Sequence, residues 1–158
     1  MNTLTLSPDE VARKAMQTPM QRKVDSLQRA FKDSPLKVEV AIAHNFAPGV
    51  YIRTMFPKAG ELIISKIHKS THPFLITRGR VAIWVEGSGW KVHSAPFSGI
   101  TTPGTRRMIY VYEDCEWSIF IPTNKTDLDE IEKDVIYNPE VNDEEPTAQQ
   151  IKLLKEAK

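Results

Sequence analysis

The chain has 158 residues, 41% of them hydrophobic, and a formal net charge of +1 at pH 7. That length supports one domain with a real core rather than two, and the balanced charge gives no basic footprint for nucleic acid. The segment "MNTLTLSPDEVARK" lacks the basic and apolar regions of a leader, and no apolar run is long enough to span a bilayer, so a soluble cytoplasmic protein with no membrane or nucleic-acid partner is expected. A lone cysteine, Cys115, excludes an intrachain disulfide and a cysteine-built zinc site.

Residues 1–35 read as a helical extension. Ser7 stands where an N-cap is wanted, Pro8 follows at the first helical position, and Asp9 and Glu10 fill the first turn. Thr18 and Pro19 repeat the signal. Two helices, Pro8 to Gln17 and Pro19 to Lys32, are expected rather than one, because an interior proline costs roughly 3 kcal/mol. In the second, Met20, Val24, Leu27 and Phe31 form one apolar stripe that packs on its own domain or, alternatively, on a second copy.

From Leu36 the hydrophobic period changes from 3.6 to 2. Short β-rich runs, from "LKVEVAIAHN" through "GVYIRTMF", "ELIISKI", "FLIT" and "RVAIWV" to "RMIYVY" and "EWSIFI", are separated by turn-forming segments such as "PKAG", "RG", "EGSG" and "TPGT". Residues 36–123 therefore read as a β-sandwich or small barrel, with Gly60 and Gly79 at turns. Trp84, Trp90 and Trp117 read as barrel core or interface. Residues 124–158 restart a helix, with Thr126 as the expected N-cap, then pass through the linker-like "YNPEVNDEEPTAQQ" to a last short helix in "AQQIKLLKEAK". Between Thr126 and Pro146 nine acidic residues face one lysine, which reads as a solvated tail ahead of a partner contact.

Chemistry concentrates in "GELIISKIHKSTHPFLITRG". Alternate residues of a regular strand share a face, so Lys66, His68, Ser70 and His72 would point into one space. The spacing from Gly60 through Lys66, His68 and His72 to Gly79 resembles the first motif of the cupin superfamily, small jelly-roll barrels that hold a metal on histidines and a glutamate. Lys66 stands at that family's first histidine position, His68 keeps the second, and His72 takes the place of the glutamate. In "TPGTRRMIYV" the resemblance to the second motif puts Arg107 in the histidine position and Val111 in the asparagine position. Longer stretches are similar to a group of small cupin-like proteins often encoded by bacteriophages and prophages, with Ser70 and Ile121 where further histidines would stand.

The resemblance implies a single mainly β jelly-roll barrel with an N-terminal helical extension and an acidic C-terminal helix and tail. Two histidines fall short of the three protein ligands a catalytic metal needs, and Lys66 and Arg107 would repel a cation. Three readings of the pocket stay open: a hydrogen-bonded histidine pair with no ligand, an anion or polar small-molecule site on Lys66, His68, His72 and Arg107, and a divalent metal on His68 and His72 completed by His44, His93, Glu61, Glu86 or Glu113. No cofactor is expected on the first two. The functional expectation is a non-catalytic protein, phage-encoded as a virion component or accessory protein, that forms homo-oligomers, docks a protein partner through its terminal extensions, or binds a small polar or anionic ligand. A metal-dependent dioxygenase or isomerase, and a protein that sequesters an anionic metabolite or nucleotide, are the alternatives.

Overall fold

The computed structural model describes residues 5–138. Its strands are β1 (Ala41–Ala47), β2 (Val50–Phe56), β3 (Leu62–Ile64), β4 (Ile67–His68), β5 (His72–Val85), β6 (Gly89–Ser94), β7 (Phe97–Thr101), β8 (Met108–Pro122) and β9 (Ile136–Tyr137). Helices α1 (Pro8–Met16) and α2 (Pro19–Lys32) precede them, and α3 (Leu128–Val135) stands between β8 and β9. The expected segments "YNPEVNDEEPTAQQ", from Pro139 onward, and "AQQIKLLKEAK" lie outside the described residues.

Two long strands make the jelly roll, and all pairings are antiparallel. The C-terminal half of β8 pairs with β2 and its N-terminal half with β3, while β5 pairs with β7 through His72–Ile76 and with β6 through Arg80–Val85. Central β5 and β8 also pair with each other. Each long strand therefore passes from one wall to another, which closes a small barrel.

The point at which β5 turns is Gly79. Its φ is +95°, and the β5–β8 register shifts on both sides of it, between Ile76 and Arg78, Arg78 and Arg80, and Arg80 and Val81. The sequence places Gly79 at a turn that would divide "FLIT" from "RVAIWV"; instead the two runs form one strand and the glycine sits at a bulge within it. "RMIYVY" and "EWSIFI" likewise fuse into β8. The core inside is Phe74, Ile76, Val81, Ile83, Ile109, Val111, Cys115 and Trp117. Burial pushes the Cys115 thiol up to about 11, so it is an inert core group.

The terminal helices pack on this barrel. In α1 Ser7 caps Glu10 and Glu10 returns the bond to Ser7, a complete capping box. Helix α2 is tied down by polar contacts: Thr18 Oγ1 and Gln21 Nε2 both donate to Glu86, and buried Arg106 donates to Asp25 and Gln28. Its apolar stripe divides, with Val24 buried and Met20 and Leu27 exposed. In α3 the N-cap is Asp127, whose side chain accepts from the Glu130 N–H, one residue after the expected Thr126. Ile131 and Val135 of α3 pack on Tyr51 and Ile121, and β9 pairs with β4, so the chain returns across one end of the barrel.

A methyl group on Gly79 would sit 2.5 Å from the Asp114 carbonyl oxygen, whereas one on Gly60 (φ +89°) meets nothing within 4 Å. Gly79→Ala is therefore expected to lose more than about 2 kcal/mol in urea unfolding, and Gly60→Ala only the left-handed backbone cost of about 1–2 kcal/mol. Equal losses would show that the bulge does not depend on the close approach of β8.

Candidate functional site

The inner face of the barrel is built in cross-strand rows. Met55, Trp117, Ile76 and Phe97 form an apolar floor. The next row runs Arg53, Ile119, Phe74, Gly99 across β2, β8, β5 and β7. Above it, Tyr51 pairs with Ile121 and His72 with Thr101. Gly99 has a reason to lack a side chain: a Cβ there would stand 2.8 Å from the Phe74 ring.

His72 opens β5 and is 1% exposed. His68 comes from β4, and the two rings meet edge to face with centroids 5.0 Å apart. Ser70 Oγ lies 3.0 Å from His72 Nδ1. His68 Nδ1 and His72 Nε2 are sealed from solvent and have no hydrogen-bond partner among the described residues. Burial, with the neighbouring His72 and the Arg107 and Arg53 guanidinium groups, pulls His68 down to about 3. Burial and Arg107 pull His72 to about 4, against an opposing hydrogen bond with the Ser70 backbone. Both imidazoles are neutral at physiological pH.

Arg107 is 8% exposed. One of its five N–H groups donates to Thr101 Oγ1 at 3.1 Å, and its guanidinium carbon lies 4.9 Å from the Phe74 ring centroid and 6.0 Å from that of Trp117. Burial lowers its pKa to about 10, so it stays charged at neutral pH. Among the described residues no carboxylate pairs with it.

Of the four residues the sequence singles out, the structure brings together His68, His72 and Arg107. Lys66 does not join them. The strand breaks between β3 and β4, the alternation that would turn Lys66 inward is lost, and its ammonium is exposed in an ion pair with Glu132 of α3. The proposed third metal ligands are also elsewhere. His44 bonds the Tyr51 hydroxyl at 2.7 Å on edge strand β1, and His93 stacks on Phe97 at 3.8 Å. Glu61 accepts from the Lys58 N–H, Glu86 holds α2, and Glu113 pairs with Arg80.

Among the described residues no three His, Cys, Asp or Glu side chains gather at one point. The donor set thus offers two imidazoles beside a guanidinium, which does not fit a catalytic metal centre of three protein ligands.

Sequence reasoning missed Arg53. It lies between buried Tyr51 and core-packed Met55 on one face of β2, but Ile52, Thr54 and Phe56 make the opposite face equally apolar in "VYIRTMF", and alternation alone cannot say which is inner. Two clefts open beside the site. One of about 310 Å³ lies between α3 and the barrel, lined in part by Ser70, Ile121, Ile131 and Val135. The other, about 420 Å³, is a polar groove bordered by Asp9, Lys69, Ser70 and Lys133.

No protein-family model matches the chain, and no curated protein matches it. Solved structures do resemble it. KdgF from Halomonas sp. superimposes with a TM-score of 0.48 at 11% identity, covering 62% of this chain and 90% of that one. An RmlC-like cupin family protein from Methanocaldococcus jannaschii gives 0.45 at 12% identity over 56% and 84%. A cupin-2 domain protein from Shewanella frigidimarina gives 0.43 at 13% identity over 66% and 99%.

The depressed histidines fix the sign of a pH effect. Above the ordinary value of 6.5 they are neutral folded or unfolded and contribute nothing; as pH falls below 6.5 the unfolded chain takes up protons that the folded one refuses until about 4 and then about 3. Stability should fall on the order of 5 kcal/mol between pH 6.5 and 4. Paired His68→Gln and His72→Gln substitutions are expected to flatten that slope in urea titrations; an unchanged slope would mean that other groups carry it.

Proposed function

We propose that this chain is a non-catalytic, cupin-like binding protein that takes a small carboxylate- or phosphate-bearing molecule inside its barrel. The observation that carries this proposal is Arg107: a buried cation whose guanidinium, among the described residues, has one hydrogen bond and no counter-charge. Buried charges are ordinarily paired, because desolvation costs several kcal/mol per ion. An anion would satisfy the remaining N–H groups bidentately, and the neutral imidazoles of His68 and His72 can each donate one N–H without adding charge. The cleft under α3 is bordered by Ser70, whose Oγ lies 3.0 Å from His72 Nδ1.

An assembly role accompanies the binding role in this proposal. Met20 and Leu27 leave an apolar strip on α2 for a second copy or a protein partner, and the similarity to phage-encoded proteins suggests virion or accessory work. Sequestration of an anionic metabolite is the same chemistry put to a different use. A metal-dependent enzyme is the competing reading, and the sealed His68 Nδ1 and His72 Nε2 are what favours it.

Calorimetric titration with acetate, succinate and methyl phosphate should show one saturable site. At one hundred times the dissociation constant, bound anion should stabilise the fold by about 2.7 kcal/mol. In Arg107→Met that stabilisation should vanish, while the ligand-free protein becomes more stable by about 1 kcal/mol because an unpaired buried charge has been removed. Near-stoichiometric iron, manganese, nickel or zinc in protein purified without chelator, lost in His72→Ala, would instead establish the metal enzyme. Light scattering of the full chain should report a species larger than a monomer that Met20→Lys with Leu27→Lys reduces; a monomer in both would remove self-association from the proposal.

A further inference from the structure

The site contains a second arginine. Arg53 shares the inner face of β2 with Tyr51 and Met55, and its row leads through Ile119 to Phe74, the ring on which Arg107 rests. Neighbouring strands lie about 4.8 Å apart, so the Arg53 backbone stands roughly 10 Å from that of Phe74, within reach of an extended arginine side chain plus a small ligand. Among the described residues Arg53 makes no ion pair and no side-chain hydrogen bond. Its charge lowers the pKa of both His68 and Tyr51, though burial is the larger cause at each. The one acidic group that also acts on Tyr51, Glu132, is already paired with Lys66.

Among the described residues neither guanidinium has a carboxylate partner, and one cross-strand row relates them: Arg53 leads through Ile119 to Phe74, on whose ring Arg107 rests. We infer that the barrel selects a small dicarboxylate, one carboxylate held by buried Arg107 and the other by Arg53 at the rim, its short apolar spacer lying over Ile119 and Phe74. This deepens the anion proposal and rests on it. A ligand bearing one charge would leave Arg53 unmatched, and two charges on a single phosphorus would not span the apolar row. Arg53 is therefore a specificity-determining residue, and Arg107 the residue on which any anion depends.

The test uses the full chain and titration calorimetry with three probes: propionate, succinate and methyl phosphate. A charge-assisted hydrogen-bonded contact contributes about 1.5–3 kcal/mol, so succinate should bind roughly 10- to 100-fold more tightly than propionate. Arg53→Met should bring succinate down to the level of propionate while propionate binding persists, and Arg53→Lys should restore part of the difference. Arg107→Met should abolish both, with Arg107→Lys as the version that keeps the buried charge if the methionine variant unfolds in thermal melts.

Unchanged succinate preference in Arg53→Met would overturn the role of Arg53 and leave the anion proposal standing. Methyl phosphate binding more tightly than succinate would overturn the dicarboxylate assignment. Undiminished succinate binding in both Arg107 variants would overturn the anion proposal itself.

Discussion

A guanidinium group held inside an antiparallel barrel, with no carboxylate partner among the described residues, is the constraint around which this molecule is organised. Arg107 rests on Phe74 and Trp117 and bonds Thr101, and each of these contacts depends on a neighbour that makes room for it. Gly99 lets the Phe74 ring lie flat against β7, and Gly79 lets β5 bend so that Phe74 and His72 face one wall while Val81 and Ile83 close another. The same positive charge helps hold His68 and His72 neutral. A pair of neutral imidazoles beside a cation is a set of hydrogen-bonding groups with net positive potential, suited to an anion and opposed to a divalent cation.

The end of the chain participates in this arrangement. Helix α3 lays Ile131 and Val135 over Tyr51 and Ile121, β9 pairs with β4 beside His68, and Lys66 reaches out to Glu132. The segment that carries His68 is thus fixed from outside by α3 and β9. Helix α1 packs Ala12 on Ile67 of β4 and Tyr137 of β9, and shares a groove with α3 at that end. Arg106, adjacent to Arg107, is anchored to Asp25 and Gln28 of α2, so consecutive arginines bind in opposite directions, one to the helix and one to the barrel interior.

Much of this was legible in the sequence. Period-2 hydrophobicity gave the strands from Ala41 onward, though not over Leu36 to Val40, where Leu36 and Val38 are exposed and no strand forms, and the Ser7 and Thr18 signals gave the two N-terminal helices, because local capping and patterning determine them. Strand alternation alone pointed His68 and His72 into one space, but that Arg107 joins them was legible only through the resemblance to a two-motif barrel, since the stretch before β8 is far from both histidines in the chain. What failed was the assumption of a regular strand through Lys66: the break between β3 and β4 turns that residue outward. Arg53 was hidden for a related reason, as both faces of β2 are rich in apolar side chains. Gly79 looked like a turn because a glycine at φ +95° serves turns and bulges alike, and only its pairing partners distinguish them.

The most direct measurement is the nitrogen–proton resonance of the Arg107 guanidinium followed by NMR as a small carboxylate is added, with Arg107→Lys used to assign it. A saturable shift at Arg107, with His68 and His72 neutral throughout at pH 7, is the predicted result. An Arg107 resonance that stays still under carboxylate, while stoichiometric zinc shifts the ring nitrogens of both histidines, would contradict the account.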